Sequence, residues 1–253
     1  MSGEQSYAVI LALATALVAG VIGSFALMKR MTLAGDVVSH LTLPGLGLAF
    51  LWHINPLLGA AVSLAIGIVV IDRLQRRTGL ATEAAIGVVF VAGLAIGTLL
   101  TPQEDLIDAL FGGFAPLSLG GFVLGLTGCV VVGSVVFLLR DRLILIIFSP
   151  DVAKSLGVDV ERVNFIYLCA FGVTILLGLQ HLGALLVGAI IIIPATVGRQ
   201  LARTLNQFLL FSAVAGMTSV ALGFTIGSYW SLPTGPAIVG VASALFGLTL
   251  LKK

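Results

Sequence analysis

The sequence predicts an all-α, polytopic transmembrane bundle, and three observations predict it. Of 253 residues, 59% are apolar and only 9% charged, where a soluble domain carries roughly 25% charged residues. Mean hydropathy is +1.19, which leaves too little polar surface to cover a globule of this size in water. The apolar residues come in long continuous runs, not in the period-two alternation of a membrane β-barrel. The same arithmetic excludes a disordered chain, a disulfide-stapled secreted domain and a nucleic-acid binder. A net charge of +2 from thirteen Lys/Arg and eleven Asp/Glu is no basic patch. Cys129 and Cys169 both lie inside apolar runs and read as small core residues rather than a disulfide pair.

Nine runs approach the ~20 residues that span a bilayer as helix: 7–28, 37–52, 56–71, 83–100, 119–139, 163–179, 182–197, 208–226 and 236–251. Several are short or rich in Gly and Pro, so a re-entrant segment would reduce the count to eight. Basic residues mark the inner connections. With the amino end outside and the carboxyl end inside, nine spans gather all thirteen on one side: Lys29 and Arg30; Arg73, Arg76 and Arg77; Arg140, Arg142, Lys154 and Arg162; Arg199 and Arg203; Lys252 and Lys253. The outer side keeps Glu4, Glu104, Asp105 and Asp108, with His53 and His181 at the rims. The opening MSGEQS has no positive n-region and Lys29/Arg30 follow the first run, the pattern of an uncleaved anchor rather than a signal peptide. No hydrophilic domain interrupts the chain, so residues 1–253 read as one transmembrane domain. The GxxxG spacings at Gly93/Gly97, Gly121/Gly125 and Gly223/Gly227 read as helix packing.

Two connecting segments are long, an outer one at 101–118 that contains LFGGF and an inner one at 140–162. Within the inner one, SPDVAKSLG carries the punctuation of a short helix. Ser149 is a candidate cap, Pro150 suits the first helical position, Asp151 favours the positive end of the dipole, and Gly157 is placed to end the helix. About seven residues at ~1.5 Å each make a rod near 10 Å, too short to span. By spacing alone it is either a helix lying on the membrane or a docking element for a soluble partner.

Ionisable groups inside an apolar run are the sharpest signal, since a charge at mid-membrane costs at least ~2.5–3.5 kcal/mol. Asp36 and His40 stand at i, i+4 and share one helix face, a spacing that lets two side chains grip one divalent metal. Glu83 opens another run and follows Arg77 by six residues, as Asp36 follows Arg30 by six. The alternatives are a structural Asp–His hydrogen bond and a carboxylate capping a helix. His53 and His181 read as solvated rim residues. The sequence has no GxxxxGK[ST] phosphate loop and no HExxH, and its three histidines are far apart.

These elements, in order along nearly the whole chain, resemble the membrane permeases of bacterial zinc/manganese ABC importers. The resemblance rests on RMTLAGDVVSHLTLPGLGLAF, TEAAIGVVF, LFGGF, SPDVAKSLGV, GALLVGAIIIIPATVGRQLAR and LPTGPAIV with a terminal KK. The family's D-x-x-S-H-x-x-x-P-G element falls on Asp36, Ser39, His40, Pro44 and Gly45, and its coupling element on Asp151, Ala153, Leu156 and Gly157. His181 departs from the family, where an apolar residue is usual. The resemblance implies a homodimeric permease of the bacterial inner membrane that is not itself an enzyme. It also implies a cytoplasmic ATP-binding subunit docked on the loop at about 140–162 and an extracytoplasmic metal-binding protein. Zinc or manganese is then cargo, with no resident cofactor, and Asp36, His40 and Glu83 are the metal-site candidates. Three other readings are weighed against it: a permease for iron chelates or cobalamin, an ATP-independent metal transporter or channel, and an intramembrane metal enzyme. The last would need a third strong ligand and a water-activating base that the sequence does not offer.

Overall fold

A computed structural model describes residues 3–31, 34–100 and 117–251. Among these residues the regular structure is helical, without strands. In chain order the helices are α1 (Gly3–Met28), α2 (Ala34–Ser39), a 3₁₀ turn (His40–Thr42), α3 (Leu43–Leu51), α4 (Pro56–Thr78) and α5 (Thr82–Leu100). They continue with α6 (Leu119–Phe148), α7 (Pro150–Ser155), α8 (Val160–Leu201), α9 (Leu205–Trp230) and α10 (Thr234–Leu250). Among the described residues seven candidate spans are long and apolar enough to cross a membrane: Ser6–Met28, Ala34–Leu51, Pro56–Thr78, Thr82–Leu100, Leu119–Phe148, Val160–Leu179 and Leu205–Trp230. The remaining two predicted runs fall on shorter apolar helices, Leu186–Leu201 and Thr234–Leu250. The outer LFGGF and its three neighbouring carboxylates, Glu104, Asp105 and Asp108, lie outside the described residues, as do Lys252 and Lys253.

The predicted runs 163–179 and 182–197 fall on α8, whose 42 residues are bent at Gly183 (φ 73, ψ 170), a backbone region open almost only to glycine. The two arms fold back on each other. Residues 178 and 187 would stand ~13 Å apart on a straight helix, yet a Cβ on Gly178 would lie 2.4 Å from a Val187 methyl. α8 is therefore a helical hairpin. It packs against α1, α2, α4, α6, α9 and α10 and forms the centre of the bundle. With lipid outside, apolar contact alone does not drive helices together, and close backbone approach does. Gly23 of α1 shows it: a Cβ there would fall 1.9 Å from the Ile191 carbonyl oxygen on the second arm of α8. The GxxxG pair Gly93/Gly97 likewise receives Leu41 and Leu43, in line with a packing role.

α6 runs beyond its predicted end at Leu139 to Phe148. Thirty residues make a rod of about 45 Å against a hydrocarbon core of about 30 Å. The last turns therefore carry Arg140, Asp141 and Arg142 out of the apolar layer without breaking the helix. At the same end, Arg76 of α4 pairs with Asp72 at 2.8 Å and with Glu161 in the first turn of α8. Just beyond α1, Lys29 donates to Asn164 Oδ1 and lies 4.9 Å over the ring of Tyr167. Tyr167 is fully buried and its hydroxyl donates to the Ile22 carbonyl at 3.0 Å.

Burial lowers the Lys29 pKa to about 8 from 10.5. The unfolded chain therefore holds this proton more tightly, so stability rises as pH climbs from about 8 to about 10.5 and is lowest below that window. The expected gain is on the order of 2 kcal/mol. The purified protein should melt a few degrees higher at pH 10 than at pH 7.5, and Lys29→Met should abolish that increment. An equal increment in the variant would show that Lys29 is not its source.

Candidate functional site

The run predicted at 37–52 falls on α2 and α3, and the structure divides it at His40–Thr42. Pro44 is the reason. In an α-helix the residue four positions on would donate to the His40 carbonyl, and proline has no N–H. The Leu43 N–H donates there instead, a 3₁₀-type bond that tightens the turn. The hydroxyls of Ser39 and Thr42 donate to the carbonyls of Asp36 and Ser39, both at 2.6 Å. From α4, Ser63 Oγ donates to the Leu41 carbonyl at 2.6 Å. The helix break is thus hydrogen-bonded by protein.

Asp36 and His40 straddle the start of this break. Their closest approach, His40 Nε2 to Asp36 Oδ1, is 3.8 Å. That is beyond hydrogen-bonding distance, so the structural Asp–His bond weighed above is not made. The imidazole is 11% exposed and the carboxylate 56%. His40 rests against Phe90 of α5 with ring centroids 5.6 Å apart, and its buried Nδ1 has no hydrogen-bond partner. One face of the pair is walled by protein and the other is open. A carboxylate oxygen and an imidazole nitrogen at this separation can both reach a single divalent ion.

α2 is held in place from far along the chain. A Cβ on Gly188 of α8 would lie 2.5 Å from the Asp36 amide nitrogen, and one on Gly35 would lie 3.2 Å from the Gly188 Cα. The two backbones touch, which fixes the origin of the Asp36 side chain. Neither Phe90 nor Gly188 is singled out by the sequence, although Phe90 ends TEAAIGVVF and Gly188 lies inside GALLVGA.

Glu83 is exposed in the first turn of α5, seven residues or ~10 Å along the axis from Phe90. Among the described residues no group of three or more His, Cys, Asp or Glu is placed to hold a metal ion. Asp36 and His40 therefore come together as a pair, and Glu83 is not brought into one shell with them. His53 is exposed after α3 at φ 53; the side chain of His181 lies outside the described set.

The second candidate element is α7. Its six residues begin with Pro150, as expected, but Ser149 makes no side-chain cap. Ser149 is extended (φ −156), and its N–H closes α6 on the Leu145 carbonyl. The carboxyl end has a complete Schellman arrangement: the Gly157 N–H donates to Lys154 O and the Val158 N–H to Ala153 O, both at 3.0 Å, with Gly157 at φ 79. Asp151, Leu156 and Gly157 are exposed, Leu156 by 68%, whereas Ala153 is fully buried. Ala153 thus anchors α7 to the bundle and the other three face outward.

The chain matches the ABC 3 transport family over residues 5–253 and belongs to that family. It is 31% identical over 245 residues to the manganese import system permease protein ScaB of Streptococcus parasanguinis, covering 95% of this chain and 87% of ScaB. It is 25% identical over 251 residues to the high-affinity zinc uptake system membrane protein ZnuB of Haemophilus influenzae, covering 97% and 96%. Among solved structures it resembles PsaBC from Streptococcus pneumoniae, in complex with Fab, with TM-score 0.83 and 25% identity over 96% of this chain and 90% of that one.

Proposed function

We propose that this chain is the membrane-spanning permease subunit of an ATP-driven importer that carries a divalent transition metal, zinc or manganese, across the bacterial inner membrane. The observation that carries the metal assignment is the Asp36–His40 pair, held at 3.8 Å on a hydrogen-bonded helix break in a chain of a transport family. Ionisable side chains at membrane depth mark ion pathways. Two ligands capture an ion without the closed four-ligand cage of a structural site, so the ion can leave again. Glu83 is a further carboxylate for the same route, one that approaches or leaves the pair as the helices move. The open face of Asp36 fits a site completed at the contact between two copies of the chain, and a homodimer is our reading of the assembly. Manganese and zinc both accept carboxylate and imidazole, in keeping with the relatives of either name.

Asp36→Asn keeps size and hydrogen bonding but removes the charge. It should abolish metal uptake in vesicles while the protein still inserts and assembles, and His40→Ala should do the same. Near-normal uptake by both variants would remove the site.

The sequence carries no phosphate loop, so ATP hydrolysis falls to a separate cytoplasmic subunit, docked on α7 through Asp151, Leu156 and Gly157. Exposed Leu156 beside charged Asp151 offers a mixed surface on a rod that is already formed. A metal-binding protein outside would deliver the ion. Gly157→Val forces a β-branched residue to φ 79, straining the stop by ~1 kcal/mol or more. With the ATPase subunit present, hydrolysis should continue while transport falls severalfold; full coupling in reconstituted vesicles would take α7 out of this role.

We place the amino end outside, the carboxyl end inside, and nine crossings in all, with Leu186–Leu201 and Thr234–Leu250 as the two short ones. This arrangement puts every Lys and Arg on the inner face. In intact cells a membrane-impermeant thiol reagent should reach Gln103→Cys and not Arg76→Cys; the reverse pattern would invert the topology.

A further inference from the structure

Between α1, α6 and α9 lies an open apolar groove of about 460 Å³, and none of its lining residues belongs to α2–α5. Leu17 and Phe25 of α1, Gly133 and Phe137 of α6 and Leu210 of α9 line it. One end is polar. There Arg140 of α6 donates to the Asn206 side-chain oxygen at the start of α9, and both residues line the groove. The basic residues at the ends of all three helices, Lys29, Arg142 and Arg203 among them, lie toward this same end.

The dimensions match half a bilayer. From Gly133 to Arg140 α6 rises ~10 Å and from Leu17 to Phe25 α1 rises ~12 Å, against ~15 Å for half the hydrocarbon core. Arg140 is in no ion pair among the described residues: the Arg–carboxylate pairs are Arg76–Asp72 and Arg76–Glu161, and the side chain that meets Arg140 is the neutral Asn206. Its buried Nε has no hydrogen-bond acceptor, an arrangement that costs stability until an acceptor arrives. A guanidinium presents its donors as a fork that suits phosphate.

We propose that the groove holds one anionic phospholipid, with an acyl chain along Phe25, Phe137 and Leu210 and its phosphate on Arg140, which Asn206 orients. The site depends on the topology above only for the leaflet that supplies the lipid, which is then the inner one. The bound lipid braces α6 against α9 one helical stretch before α7.

The test is native mass spectrometry of the purified, delipidated full chain titrated with phosphatidylglycerol, with phosphatidylcholine and inorganic phosphate as separate arms. One phosphatidylglycerol should bind per chain in preference to phosphatidylcholine, and inorganic phosphate should not displace it. Arg140→Gln, which can still meet Asn206, should weaken phosphatidylglycerol about fivefold, the worth of one basic residue at an anionic lipid surface. Gly133→Leu leaves Arg140 intact and fills the groove; a Cβ at Gly133 meets nothing within 4 Å, so the helix should tolerate it. It too should weaken binding severalfold, with an unchanged melting temperature. Equal retention of phosphatidylcholine, competition by inorganic phosphate, or loss in Arg140→Gln without loss in Gly133→Leu would each overturn the proposal. None of these readouts involves metal transport, so failure of the metal site leaves this test standing.

Discussion

In the apolar layer of a membrane no water is present to pair a free amide or carbonyl, and that constraint governs where this chain departs from helix. The consequential departure is at His40–Thr42. Pro44 removes the donor that the His40 carbonyl would otherwise receive, and the chain compensates with a 3₁₀ bond from Leu43 and with Ser63 reaching across from α4 to Leu41. The 3₁₀ turn is thus held by protein hydrogen bonds. It sets the last turn of α2 off from α3 and leaves a carboxylate and an imidazole on the break, where an unbroken helix would have carried them through evenly spaced turns.

The second dependence is on contact between backbones. The α8 hairpin turns at Gly183, and its second arm meets α1 at Gly23 and α2 at Gly188. The position of Asp36 is therefore governed by a residue about 150 positions away along the chain. Small residues are what permit this in lipid, where the gain comes from close packing and not from excluding water. On the aqueous side the rules are those of soluble proteins. α7 is closed by a Schellman turn and held by one buried alanine, and its other residues are exposed.

How much of this was legible follows from how local each feature is. Asp36 and His40 on one helix face follow from a four-residue spacing, and Gly157 in the left-handed region follows from the need for a helix stop, so both could be read directly. The run 119–139 stops short of the end of α6 at Phe148, because the basic residues after Leu139 look like the end of a span. The helix continues because LILIIF contains nothing to break it before Ser149 and Pro150. The Ser149 cap failed for a related reason: its amide already terminates α6 and its backbone is extended. The coupling element that the resemblance implies includes Ala153, yet in a six-residue helix one side faces the bundle, and the smallest residue takes it.

The sequence by itself determined that the chain is a helical membrane protein, where its apolar helices lie, and which few ionisable residues stand inside them. These depend on hydropathy, periodicity and turn chemistry, which neighbours a few positions apart settle among themselves. Only the tertiary structure decided that α8 folds back on itself, that Gly188 seats α2, that Phe90 walls His40, and that Arg140 ends an apolar groove outside every ion pair among the described residues. Each of those depends on segments that are distant in the chain and meet only when helices cross. The distance between two backbones at a crossing is not written in the local pattern of either one.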